Sequence, residues 1–164
     1  MKNLYLFTVF LLVGCQSNSL VVENCNNAYH KTENALEELQ QIKTFVVRCS
    51  QNGQTNISSE QMMKQIMPKA TNAATLLADA VQYLNECITQ DENLFKLRQI
   101  IQSLTACEDR IRNIYTLCDN NYLMSISGYN SEIQLIATSL DNMANDVINE
   151  ALSINKFMKQ YGKE

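Results

Sequence analysis

The chain has 164 residues, a formal net charge of −4, and 13 Lys and Arg against 17 Asp and Glu. That length suits one domain with a single buried core, and the acidic balance argues against nucleic acid as a partner and against an electrostatic hold on anionic lipid. One Pro, four Gly and no Trp disfavour a β-sandwich of tight turns and favour long helices.

Met1-Lys2-Asn3 supplies a short positive start, and Leu4 to Val13 an apolar run followed by small residues. This is the layout of a secretory signal peptide. The run falls short of the roughly 20 apolar residues that cross a bilayer. Leu12-Val13-Gly14-Cys15 resembles the lipobox of bacterial lipoproteins, with Leu12 three positions before the cysteine, Val13 and Gly14 in the small-residue slots and Cys15 as the acceptor. The resemblance implies diacylglyceryl transfer to Cys15, cleavage before it and acylation, as with palmitate, of the new N-terminus. Gln16, standing where an Asp would retain the chain, implies outer-membrane delivery on the periplasmic face. The expected organisation is a signal peptide at 1–14, a lipidated tether at 15–22 and a helical domain at 23–164. A rival reading has a conventional peptidase cutting after Ser17, which gives a secreted eukaryotic helical protein, an inhibitor or a signalling ligand.

Beyond the leader, apolar or small residues recur in steps of three and four at Val22, Cys25, Tyr29, Thr32, Leu36, Leu39, Ile42, Val46 and Cys49, the stripe of a long amphipathic helix. Ser50 to Asn56 ends it with turn residues, Gly53 being able to take positive φ. Ser58 and Gln61 have capping-box spacing and open a second stripe at Met63, Ile66, Ala70, Ala73, Leu77, Ala80, Leu84 and Cys87. Pro68 interrupts this helix and predicts a kink near residues 64–68, or a short helix before a new start. Asp91 is the expected cap of a third stripe at Leu94, Leu97, Ile101, Leu104, Cys107 or Glu108, Ile111, Ile114 and Cys118. Residues 122–129 read as either loop or early helix. Asn130 or Ser131 caps a fourth stripe at Ile133, Ile136, Leu140, Met143, Val147, Ala151, Ile154, Met158 and Tyr161. The fold class expected is all-α, an up-down-up-down four-helix bundle with a kinked second helix, stapled by disulfides.

Six cysteines in an exported chain point to disulfides, and none has the CxxC spacing of a redox or zinc site. Height along antiparallel helices, at 1.5 Å per residue, pairs Cys25 with Cys87 at one end and Cys49 with Cys118 at the other, and leaves Cys107 a free buried thiol. Each bridge would close a long loop, worth on the order of 4 kcal/mol.

Catalytic chemistry is not expected. His30 is the only histidine, too few for a di-iron bundle. Met62, Met63 and Met67 read as core filler before a soft-metal site. Glu37, Glu38, Asp91, Glu92, Glu108 and Asp109 come mostly as adjacent pairs that leave a helix on different faces. The functional expectation is a non-enzymatic binding or accessory module of the bacterial envelope. It needs no cofactor or metal, is held to the membrane by its lipid, does not bind nucleic acid and serves a protein partner of unidentified kind.

Overall fold

A computed structural model describes the backbone at residues 2–90, 94–114, 116 and 132–161, with side chains described from Ser19 onward. The elements are α1 (Lys2–Gln51), a single turn α2 (Ser59–Gln61), a π-turn (Met62–Ile66), α3 (Met67–Gln90), α4 (Phe95–Arg112) and α5 (Glu132–Tyr161). The long helices pack antiparallel, with α1 beside α3 and α5, and α4 closing the bundle against the same two. The expected cap at Asp91 and those at Asn130 or Ser131 lie outside the described residues, as does the segment 122–129.

Polar contacts display the register. Lys31 pairs with Asp79 at 2.7 Å, and Glu38 accepts from Asn72 at 2.7 Å, so seven residues up α1 is seven residues down α3. On α4 and α5, Ser103 donates to Glu150 and Arg110 to Asp146, again in opposite directions. These half-exposed pairs contribute little stability each, typically 0–1 kcal/mol. Burial holds the bundle, and its central residues are small: Ala28 and Ala35 of α1 and Ala70, Ala73, Ala74 and Ala80 of α3 are all at most 1% exposed. With no side chain beyond Cβ between them, α1 and α3 can approach closely. Thr32, fully buried in the same stripe, satisfies its hydroxyl by donating to the Ala28 carbonyl at 2.8 Å.

The sequence stripes shift by one position at several points. Val21, Ala28 and Ala35 are buried while Val22, Tyr29 and Leu36 are only half-buried at the edges. Ile100 replaces Ile101, Phe157 replaces Met158, and Cys107 rather than Glu108 faces the core. The 3.6-residue helical period makes neighbouring positions near-equivalent by periodicity, and the space available between helices selects among them.

The first helix ends as expected. Gly53 has φ +79°, its N–H donates to the Ser50 carbonyl at 3.0 Å and the Gln54 N–H reaches back to the Cys49 carbonyl at 3.1 Å, a Schellman motif. The capping box then opens the next helix: Ser58 Oγ accepts from the Gln61 N–H at 3.2 Å and Gln61 Oε1 accepts from the Ser58 N–H at 2.9 Å. The Ile133 N–H donates to the Thr55 carbonyl at 3.3 Å, which pins the start of α5 to this connection.

The break before Pro68 is a π-turn. Proline lacks an N–H and its ring would clash with the carbonyl four residues back, and the wider turn over Met62–Ile66 precedes it, with the Met67 N–H donating to the Met62 carbonyl five residues earlier. A turn of more than four residues rotates the expected face. Met62 and Ile66 are 4% and 0% exposed, while Met63, expected in the core, is 63% exposed.

Two outcomes follow from this geometry. Met62→Ala should cost about 2–5 kcal/mol in chemical denaturation and Met63→Ala less than about 0.5, the reverse of what an uninterrupted stripe through Met63 would give. Gly53→Ala should lower stability by about 1–2 kcal/mol through the left-handed backbone alone, because an added Cβ there meets no atom within 4 Å.

Candidate functional site

The cysteines sort by height along the bundle. Continuing the α1–α3 register toward the base of α1 brings Cys25 opposite Cys87, both fully buried, with their Sγ atoms 3.6 Å apart. That is contact between two thiols; an S–S bond measures about 2.05 Å. The Cys87 Sγ also lies 3.4 Å from the Tyr83 carbonyl and 3.6 Å from the Val21 carbonyl. The expected disulfide is not formed in this structure: Cys25 and Cys87 are free thiols held side by side, and among the described cysteines none is at bonding distance of another.

Cys25 is held strongly toward its protonated form by its hydrogen bond with the Cys87 sulfur and by burial. Cys87 is the sulfur that this hydrogen bond would stabilise as a thiolate, and its pKa is pulled down accordingly against the opposing effect of burial.

The other cysteines stand apart. Cys49, 5% exposed at the opposite end, has the Gln61 amide as its polar neighbour, Nε2 at 3.7 Å from Sγ, and burial pushes its thiol up. Its expected partner Cys118 lies outside the described residues. Cys107 is buried within α4; desolvation raises its pKa, partly offset by Arg110, whose Nη2 is 3.4 Å from its sulfur and 2.6 Å from Asp146. The adjacent Arg110–Asp146 pair was not foreseen, since its two members come from helices whose relative rotation no spacing rule specifies. The side chains of Leu12, Val13, Gly14 and Cys15 lie outside the described part of α1.

The candidate chemical groups named from the sequence separate in space. His30 is exposed, 3.4 Å from Glu33, with an edge-on contact to the Tyr29 ring. Met62 is in the core, Met63 in solvent and Met67 half-buried, so the three thioethers do not converge. Glu38 bonds Asn72, and Glu108 pairs with Arg112 along its own helix; Asp91 and Glu92 are outside the described residues. Among the described residues no three His, Cys, Asp or Glu side chains cluster as a metal site, and no helix is long and apolar enough to cross a membrane.

Spacing did not indicate the surface groove of about 410 Å³ between α4 and α5, lined by Lys96, Gln99, Ile100, Ser153, Lys156 and Phe157 among others. It lies toward the end where α3 passes to α4, with the exposed Phe95 next in sequence to Lys96. Comparison with protein families, with curated proteins and with solved structures gave no match to this chain.

Burial sets the reactivity of all four described thiols. In native protein Cys25, Cys49, Cys87 and Cys107 should resist iodoacetamide at neutral pH over a period that labels them fully in denaturant. Rapid native labelling of any one, read by peptide mass, would contradict its burial.

Proposed function

We propose that this chain is a membrane-anchored lipoprotein of the bacterial envelope, exported to the periplasmic face of the outer membrane, whose helical bundle serves as a non-enzymatic binding or accessory module. The observation that carries this reading is Leu12-Val13-Gly14-Cys15 closing an apolar leader, with Gln16 behind it. Among the described side chains the first buried one is Val21, six residues past Cys15 and about 9 Å along a helix. A lipid on Cys15 therefore holds the Cys25–Cys87 end of the bundle close to the membrane and presents the Cys49 end outward.

Polar side chains on the flanks support an accessory role in place of a reaction centre, because many already tie one helix to another. Lys31–Asp79, Arg110–Asp146 and Ser103–Glu150 are such ties. A protein partner would then engage the outward end or the exposed flanks.

Expression of the full chain in a Gram-negative host with an alkyne analogue of palmitate tests the anchor. The expected result is a labelled, membrane-fractionating protein whose mature N-terminus is acylated Cys15, with the label lost in Cys15→Ser. An unmodified mature terminus at Asn18 would instead establish conventional secretion and overturn the reading.

A further inference from the structure

We propose that Cys25 and Cys87 are a dedicated disulfide site, which staples the base of α1 to the end of α3 when the chain meets a disulfide donor. Assignment of the oxidising compartment rests on the export reading above; the chemistry of the pair does not.

Three observations carry it. The helix register delivers both residues to one level, as it delivers Lys31 to Asp79 and Glu38 to Asn72. Their sulfurs are already in contact at 3.6 Å, so bonding needs an approach of only about 1.5 Å, within the reach of small χ1 adjustments. Finally, the pair is exclusive among the described cysteines, since the polar neighbour of Cys49 is an amide and that of Cys107 is a guanidinium.

The donor is a disulfide, either glutathione disulfide or the active-site disulfide of a thiol oxidoreductase. One cysteine of the pair, written here as Cys87, loses its proton and its thiolate attacks one donor sulfur. The Cys87–donor bond forms as the donor S–S bond breaks and releases a thiolate. Cys25 then loses its proton and attacks the Cys87 sulfur; the Cys25–Cys87 bond forms, and the second donor sulfur leaves as a thiolate. In total two cysteine thiols become one disulfide, and two electrons and two protons pass to the donor, which ends as two thiols.

Both sulfurs are fully buried in the packed bundle, so the exchange takes place while the base of α1 is lifted from α3, and repacking completes it. The closed bond spans 62 positions of the chain, across α1, the π-turn and α3. It fixes the segment next to Val21, the first buried residue among those described. Under the anchoring proposed above, force on the lipid tether would then be borne by two helices in place of one.

The full chain, purified in mild detergent with reductant removed, is equilibrated in glutathione buffers of graded oxidation, quenched in acid, alkylated and mapped without reduction. The expected result is a cross-linked peptide pair containing Cys25 and Cys87, two hydrogens lighter than the separate thiols, and a midpoint of thermal unfolding roughly 10 °C higher than in the reduced protein. Both signals should vanish in Cys25→Ala and in Cys87→Ala, and small core residues such as the adjacent Ala28 indicate that alanine fits there. Alkylatable Cys25 and Cys87 at the most oxidising poise, or bonding of either to a different cysteine, would overturn the proposal. If Cys15 carries no lipid yet this bond forms, the lipid-anchor reading fails alone; if Cys15 is acylated and the bond does not form, the staple fails alone.

Discussion

Close packing of α1 against α3 is the constraint on which the other features depend. The buried alanines of both helices leave little side-chain bulk between the backbones, and the cross-helix polar contacts at residues 31 and 79 and at 38 and 72 share one antiparallel register. Once that register holds, Cys25 must meet Cys87 and Cys49 must lie beside Gln61. The ion pairs report the register more than they enforce it, since half-exposed pairs gain little over solvated charges. Enforcement comes from the apolar positions, because sliding one helix along the other would push leucines such as Leu39 and Leu77 out of their places in the core.

The π-turn shows how a local defect is absorbed without losing that packing. Pro68 cannot continue an ordinary helix, and the chain answers with one wide turn upstream, after which α3 proceeds in normal geometry. The adjustment exchanges Met63 for Met62 in the core and leaves Ala70 and Ala73 in the seam. Both ends of the α1–α2 connection are locally specified, by the Schellman motif at Gly53 and the capping box at Ser58. Bonding of the Thr55 carbonyl to the Ile133 N–H then ties the connection to a helix more than seventy residues away.

The proposed anchor and the thiol pair meet at the same end of the molecule. Under the proposed lipidation, the membrane attachment, the buried Val21 and the Cys25–Cys87 contact follow one another within a few turns of α1. An attachment at the end of a long helix acts as a lever on that helix, and the base of α1 is where it would begin to peel from the bundle. A covalent tie placed there resists peeling more effectively than one placed at the outward end. Under the same proposal the outward end and the flanks are left for a partner, along with the groove between α4 and α5.

Local rules made much of this protein legible in the sequence. Helical periodicity gave the four-helix class, glycine and serine chemistry gave the two caps at Gly53 and Ser58, and Pro68 marked the irregular turn, while the leader stretch through Cys15 supports a proposal only. Axial height was enough to match Cys25 with Cys87, because rise per residue is a property of any helix. Tertiary structure alone decided which of two adjacent positions enters the core: Ala28 over Tyr29, Ile100 over Ile101, Phe157 over Met158 and Met62 over Met63. Periodicity leaves such neighbours about 100° apart on a wide apolar face, and only the volume between packed helices and the local widening of a π-turn distinguish them. Tertiary structure likewise set the Arg110–Asp146 contact beside Cys107, since rotation of α4 against α5 is written in no single helix.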